Sequence, residues 1–209
     1  MVSDVLPWEE MKLRMLNGSH SFLAYLGYLA GYAHISDCMQ DESYRRAARH
    51  LMMAEQAPTL RITDVDLGAY ADSLIARFSN PARQPRTWQI AMDGSQKLPQ
   101  RLLDGIRIHL QNGSRWPLLA LAVAGWMRYV SGVDDAGQPI DVRDPLAEKI
   151  RNIVANSSNE NRVAALLTLQ EIFGSDLPAN PQFVQAIEQA WQHLGQQGAR
   201  QAVLTALNS

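Results

Sequence analysis

The sequence predicts an all-α fold, a multi-helical cluster, and three observations support this prediction. Apolar residues recur at steps of three and four along most of the chain, which is the spacing of one helix face. No segment shows the strict alternation of apolar and polar residues that is typical of a strand between hairpin turns. Prolines, glycines and asparagines separate the periodic segments, where helices begin and end.

The first predicted helix carries an apolar face from Phe22 to Leu29. Gly27 and Gly31 lie four residues apart in this segment, and we expect them to allow close packing against a second helix. Capping residues, prolines and an asparagine–glycine stop predict four further helices in this half: 41–57, 64–78 with Asp64 or Asp66 as its cap, 87–92, and 99–112.

The second half begins with the longest apolar stretch, 117–130, which predicts a buried central helix. It is shorter than the ~20 residues that cross a bilayer. Glycine, aspartate and proline crowd segment 131–144, which predicts a long loop. We expect residues 1–209 to form one helical domain, with this loop as its possible internal boundary. The helices predicted after the loop are one that starts at Pro145 with Asp144 as its cap, 159–173, 181–194 and 198–207.

Composition and charge narrow the class of protein. Hydrophobic residues make up 46% and charged residues 19% of the chain, a balance that can fill a core, and the formal net charge of -2 argues against a nucleic-acid partner. The single cysteine, Cys38, excludes an internal disulfide, and no basic segment precedes an apolar run at the N-terminus. We therefore expect a cytoplasmic domain without membrane or nucleic-acid partners.

Several motifs of complete enzymes are missing. The sequence has no glycine-rich nucleotide loop after a strand, no nucleophile elbow, and no cysteines or histidines at metal-site spacing. We therefore expect no metal and no cofactor-binding residues in this chain, which alone does not resemble a complete enzyme.

The first candidate site is segment 12–20, which reads KLRMLNGSH. On a continuous helix, steps of five and eight residues turn through about 140° and 80°, so Lys12, Asn17 and His20 share one broad face. A desolvated lysine can act as a base, an asparagine amide can donate to an oxyanion, and a histidine can orient a hydroxyl, which together suit alcohol–ketone chemistry. Spacing alone favours the alternative of a solvated lysine, a turn at Asn17–Gly18 and a partly buried histidine.

The second candidate site contains Lys97 and Arg101, which lie four residues apart and on one face if a helix includes both. Such a positive pair can hold a carboxylate, with bidentate geometry from the arginine and a point charge from the lysine. The alternative, again favoured by pattern alone, is an ordinary solvated turn in which Asp93 neutralises Lys97.

Both candidate sites resemble signatures of one protein family. Segment 12–20 and the LGYLAGY run at 26–32 resemble the signature of the mannitol dehydrogenase family, the polyol-specific long-chain dehydrogenases. The stretch 77–97, which starts with RFSNP and ends with DGSQK, is similar to a further signature, and so is the loop from Gly132 to Pro145. The resemblance extends over essentially the whole chain.

The resemblance implies an enzyme in which an N-terminal Rossmann domain binds NAD and a C-terminal helical domain, the part present here, binds substrate without a catalytic metal. It implies that Lys12 is the general base and that Asn17 polarises the reacting oxygen. It further implies that His20 orients the substrate and that Lys97 contacts its distal end. We therefore expect the missing Rossmann domain to be the partner of this chain, and the chain alone to be inactive.

The substrate is expected to be a sugar acid or polyol. Mannitol dehydrogenases tend to carry arginine where this chain has Gln89, a candidate substrate-binding residue, and segment 89–101 most resembles the fructuronate reductase (mannonate oxidoreductase) branch. That resemblance favours D-mannonate/D-fructuronate over mannitol/fructose or altronate/tagaturonate. A non-catalytic helical interaction module is the alternative of another class. Because Met1 opens directly on the substrate-domain motif, we expect a fragment of the longer enzyme.

Overall fold

The computed structural model describes residues 2–83 and 85–209, with side chains from residue 6 onward, and it confirms the all-α prediction. Within these residues, extended pairing is limited to two isolated bridges. The α-helices are α1 (Val2–Met11), α2 (Gly18–Leu29), α3 (Ile35–Gln40), α4 (Glu42–His50), α5 (Leu67–Ser79), α6 (Thr87–Ala91), α7 (Gly94–Leu98), α8 (Asp104–Asn112), α9 (Pro117–Val130), α10 (Ala147–Ala155), α11 (Arg162–Leu166), α12 (Gln170–Phe173) and α13 (Pro181–Leu207). Between them lie a first, second and third π turn at Lys12–Asn17, Leu51–Gln56 and Pro99–Leu103, and 3₁₀ turns at Ala57–Thr59 and Asn159–Asn161.

Helix α9 forms the centre of the core, and α13 and α2 pack against it. Its residues are buried on nearly all sides, as expected for a helix that is apolar all round. A Cβ built at Gly125 would lie 2.8 Å from Leu26 Cδ2, so the glycine lets α2 approach closely. At the start of α9, Trp116 stacks on Phe183 of α13 with 5.9 Å between ring centroids.

The N-terminus of α9 is capped by a residue distant in sequence. The buried carboxylate of Glu55 accepts hydrogen bonds from the backbone N–H groups of Leu118 (2.9 Å) and Leu119 (2.8 Å). Burial raises the pKa of Glu55 to about 7, against the opposing effect of these two bonds. The cap holds the second π turn, which contains Glu55 and ends at Gln56, against the central helix.

Two predicted boundaries are confirmed. Helix α9 has the predicted bounds, which follow from its first-turn proline and its uninterrupted apolar run. Helix α5 is capped by Asp66 rather than Asp64, because the Asp66 carboxylate accepts the N–H of Ala69 at 3.0 Å.

The single helix predicted over 159–173 is wrong. Helix α11 ends at Leu166 and α12 begins at Gln170. Leu167 and Leu169 in the connection are both buried. Residues two apart on a helix point about 200° apart, so an unbroken helix would turn one of these leucines away from the core.

Other boundaries shift for local reasons. Helix α10 begins at Ala147, not Pro145, because Asp144 first forms a turn in which its carboxylate accepts the N–H of Leu146 at 2.8 Å. Gly31 lies beyond the end of α2 with a φ of 93°, so of the predicted glycine pair only Gly27 is helical. The helices predicted over 181–194 and 198–207 form one element, α13, with a non-helical residue at Gly198. Helix α3 was not predicted. The helix predicted to begin at residue 99 begins earlier, at Gly94.

No helix in the described part of the chain combines the length and the apolar character needed to cross a membrane.

Candidate functional site

The first π turn joins α1 to α2 and carries Lys12 and Asn17 at its two ends. The α-helical geometry from which the shared face was worked out does not hold here, because the N–H of Gly18 bonds to the carbonyl of Leu13, five residues earlier. In a π turn, residues five apart take the relationship that residues four apart have in an α-helix. The π turn therefore brings Lys12 and Asn17 closer to the same side of the helix than an α-helix would.

Gly18 is the first residue of α2, with right-handed helical φ and ψ of -62° and -45°, so a chain reversal at Asn17–Gly18 is ruled out. A Cβ built at Gly18 would lie 2.6 Å from Gln56 Nε2 and 2.8 Å from the backbone oxygen of Arg101. Glycine is therefore required here by close packing and not by backbone conformation.

Gln56, the last residue of the second π turn, is fully buried between the first and third π turns. Its Nε2 donates a hydrogen bond to the Arg101 carbonyl at 2.9 Å. On its other side, a Cβ built at Gly105 would lie 2.7 Å from Gln56 Oε1. Gln56 was not predicted as a site residue. The only sequence signal was the presence of two glycines inside helical segments, Gly18 and Gly105, which leave room for a side chain between them.

His20 lies on α2, with its ring stacked on Phe78 of α5 at 4.8 Å between ring centroids and 6° between planes. The pKa of His20 is lowered from 6.5 to about 4, first by burial and then by the positive charges of Arg101, Arg77 and Lys97, in that order. The imidazole is therefore neutral at physiological pH. A neutral imidazole can accept a hydrogen bond from a hydroxyl at one nitrogen and donate one from the other.

Arg101 lies on the third π turn and reaches toward α2. Its Nη1 donates to Ser21 Oγ at 3.2 Å and to the Asn17 carbonyl at 3.5 Å. Burial lowers the pKa of Arg101, but a guanidinium remains charged in proteins. This contact places the predicted carboxylate-binding residue beside the first π turn.

Lys97 lies on α7, four residues before Arg101. Its Nζ donates to the Ile90 carbonyl at 3.0 Å. Burial and the charge of Arg101 lower its pKa, while Asp93 and Asp144 act in the opposite direction. Asp93 is not within ion-pair distance of Lys97; more generally, no carboxylate in the described ranges pairs with Lys97 or Arg101. Asp93 therefore acts on Lys97 through its charge at a distance and not through an ion pair.

Asp144 joins the start of α7 to the turn before α10, where its carboxylate accepts the N–H of Leu146 at 2.8 Å. Its carboxylate accepts the N–H of Ser95 at 2.8 Å and the Ser95 hydroxyl at 2.5 Å, across 49 residues of sequence. A Cβ built at Gly94 would lie 2.5 Å from Trp126 Nε1, so this glycine brings the start of α7 against the core. Sequence analysis identified the loop that ends at Asp144, but local patterns could not reveal its partner.

Two predicted site residues lie outside this cluster of contacts. Gln89 is exposed on α6, and its Oε1 accepts the backbone N–H of Arg86 at 3.4 Å. Lys12 is exposed, and among the residues that the structure describes its ammonium makes no hydrogen bond or ion pair. Beside it, buried Arg14 anchors the first π turn through Nη1, which donates to the Thr59 carbonyl at 2.9 Å.

The structure thus brings Arg101 into contact with Asn17 and places the charges of Arg101 and Lys97 close enough to His20 to lower its pKa. Lys12 lies at the other end of the first π turn. The cluster offers two cations, a neutral imidazole and an amide, groups that can bind an anion and hydroxyls. Over the ranges 2–83 and 85–209, no three histidine, cysteine or acidic side chains are placed to hold a metal ion.

Comparison with known proteins gives a consistent result. The family model described as the mannitol dehydrogenase C-terminal domain matches residues 4–195. The chain is 74% identical over 207 residues to an uncharacterized oxidoreductase, YeiQ, of Escherichia coli (strain K12), with 99% of this chain and 42% of the relative covered. It is 60% identical over 203 residues to the D-mannonate oxidoreductase of that organism, with 97% and 42% covered.

A similar solved structure is that of Pseudomonas fluorescens mannitol 2-dehydrogenase in a ternary complex with NAD and D-mannitol. The TM-score is 0.90 at 33% sequence identity, and the match covers 97% of this chain and 41% of that chain. The chain therefore spans about two fifths of the length of the relatives that it matches.

Proposed function

The chain belongs to the mannitol dehydrogenase family, as its C-terminal helical domain, and from this premise we propose that it is the substrate-binding half of an NAD-dependent oxidoreductase. The reaction interconverts a sugar acid or polyol and its keto form. The observation that carries the proposal is the meeting of two distant segments, since Arg101 bonds to the carbonyl of Asn17 and acts electrostatically, with Lys97, on His20. The partner of the chain is the N-terminal Rossmann domain of the same protein.

Lys12 is proposed to remove the proton of the hydroxyl group that is oxidised, at its Nζ. A lysine acts as a base when desolvation lowers its pKa. Lys12 is exposed on this domain, so the cover that desolvates it must come from the N-terminal domain and the substrate. This requirement explains why we expect the chain alone to be inactive.

Asn17 and His20 are proposed to hold the reacting end of the substrate. The Asn17 side-chain amide can donate to the developing oxyanion, while its backbone carbonyl is occupied by Arg101. His20 is neutral and fixed by its stack on Phe78, so it can exchange hydrogen bonds with hydroxyls without adding charge. Lys97 and Gln89 are proposed to contact the distal part of the substrate.

NAD is proposed to bind outside this chain. The sequence has no glycine-rich phosphate loop, and the described helices include no strand–turn–helix unit that would hold a pyrophosphate. We therefore assign cofactor binding to the N-terminal domain. When bound there, NAD supplies the hydride acceptor. No metal is proposed.

D-mannonate, oxidised to D-fructuronate, is the proposed substrate pair. The D-mannonate oxidoreductase of Escherichia coli, at 60% identity, supports this choice, as does Gln89 in place of the arginine that mannitol dehydrogenases tend to carry. Mannitol/fructose and altronate/tagaturonate are the competing pairs. A substrate panel on the full-length protein with NAD tests the proposal: turnover fastest on mannonate supports it, and turnover on none of these substrates overturns it.

A further inference from the structure

Arg101 is a half-buried cation with no acidic partner among the side chains that the structure describes. Its guanidinium is desolvated, and its two hydrogen bonds, both from Nη1, are made to neutral oxygens at 3.2 and 3.5 Å. Burying a charge is costly unless an opposite charge compensates it. Elsewhere in the described chain, arginines such as Arg107 form ion pairs with aspartates. The missing counter-charge at Arg101 therefore calls for an anion from outside.

A second cation beside Arg101 adds to the positive charge that an anion would neutralise. Lys97 lies on the same side, also without an ion-pair partner in the described ranges, and both cations depress the pKa of His20. An arginine offers a planar fork of donors that matches a carboxylate in bidentate fashion, whereas a lysine offers a point charge. Arg101 uses one nitrogen of its fork for Ser21 and Asn17, which leaves donors for a further acceptor.

We propose that Arg101 is the carboxylate anchor of the site and selects sugar acids over uncharged polyols, with Lys97 contributing charge beside it. The inference rests on the proposed function, which it deepens by naming the group that distinguishes the substrate class. The geometry that supports it is the tether from Arg101 to the Asn17 carbonyl. Through this tether, one residue links the anion-binding end of the site to the turn that carries the proposed catalytic amide.

Gln56 and Ser21 are positioning residues for this anchor. The Gln56 side chain fixes the backbone of Arg101 by donating a hydrogen bond to the Arg101 carbonyl. The fully buried Ser21 accepts a hydrogen bond from one guanidinium nitrogen. Neither is proposed to touch the substrate. A guanidinium held in this way loses less conformational freedom on binding than a free side chain does.

The test compares Arg101→Gln with wild type in the full-length protein, using D-mannonate and the uncharged D-mannitol as paired substrates with NAD. A charge-assisted hydrogen-bonded pair corresponds to a loss of about 10- to 100-fold, and we expect that loss in kcat/KM on mannonate, mostly through KM. On mannitol, which has no carboxylate, only the lost bonds to the Asn17 carbonyl and Ser21 should be felt, so we expect a clearly smaller loss than on mannonate. Arg101→Lys, which keeps the charge and loses the fork, should fall between them on mannonate.

Arg77→Gln is the matched control. It removes a nearby, exposed positive charge from α5, and it should change both substrates equally and by less than about threefold. If Arg101→Gln does not fold, as judged by circular dichroism, Ser21→Ala provides the second test: a rise of several-fold in KM for mannonate, with a clearly smaller rise for mannitol, is expected.

Each remaining outcome decides between the proposals. Equal losses on both substrates, or no loss on mannonate, overturn the carboxylate role of Arg101. A wild-type enzyme that oxidises mannitol but no sugar acid overturns this inference and leaves the proposed function intact. A wild-type enzyme that oxidises neither class overturns the proposed function itself, and the inference with it.

Discussion

The side-chain amide of Gln56 donates a hydrogen bond to the backbone carbonyl of Arg101 at 2.9 Å and so joins two π turns. A π turn leaves the regular α-helical bonding pattern, and such turns are frequent at functional sites. Here the first and third π turns carry candidate site residues, and the second supplies the residue between them. Gln56 thus connects the anion-binding side of the candidate site to the helix that carries His20.

Gln56→Ala should lower the free energy of unfolding by about 2–4 kcal/mol. The change leaves the buried Arg101 carbonyl without its donor and opens a cavity between Gly18 and Gly105. Urea unfolding followed by circular dichroism measures the effect. Gln100→Ala, an exposed neighbour on the third π turn, should stay within about 0.5 kcal/mol of wild type; similar losses in both variants would contradict the role of Gln56.

Gly18→Ala tests the close approach of the π turns. Alanine favours a helix over glycine by about 1 kcal/mol, yet we expect destabilisation, because the added methyl would meet Gln56 Nε2 at 2.6 Å and the Arg101 carbonyl at 2.8 Å. Gly68→Ala, in the first turn of α5, has 3.4 Å to its nearest neighbour and should be neutral or stabilising. Opposite signs for the two variants in thermal unfolding are the expected result; a stabilised Gly18→Ala would show that the turns can separate freely.

Local patterns predicted the elements whose determinants are local. The Pro117 start and apolar run of α9 and the Asp66 cap of α5 are readable over a few residues. The π turns cannot be predicted in this way, because local sequence does not show whether a backbone N–H bonds to the carbonyl four or five residues earlier. The bond between Asp144 and Ser95 was equally out of reach, because a capping residue and its helix normally lie within four residues.

The candidate site was partly predictable for the same reason. The spacing of Lys12, Asn17 and His20 indicated a shared face, and the spacing of Lys97 and Arg101 indicated a positive pair. Spacing could not show that the two groups meet, since the contact of Arg101 with Asn17 depends on how the first and third π turns pack. It also could not assign Gln89, whose observed contact is to the backbone of Arg86.

His20 should make the folded chain sensitive to acid. Its pKa is 6.5 in the unfolded chain and about 4 in the folded one, so between these values the unfolded state binds more protons. Stability is therefore lost as the pH falls from about 6.5 to about 4, by at most about 3 kcal/mol from this residue. His20→Gln removes the contribution while other acid-sensitive groups remain. The difference in unfolding free energy between pH 7 and pH 4.5 should be smaller in the variant, and an unchanged difference would contradict a neutral, desolvated His20.

Lys12→Ala in the full-length enzyme tests the proposed base. Loss of a general base costs about 10²- to 10⁴-fold in turnover, and the loss should shrink as the pH rises, because hydroxide and water then replace the missing group. Arg14, two residues away, is buried and bonded to Thr59, so it cannot take over the role. Lys149→Ala, a lysine paired with Glu171 far along the chain, is the control and should retain wild-type turnover. Near-wild-type turnover of Lys12→Ala across the whole pH range would eliminate Lys12 as the base, because no other lysine lies on the first π turn.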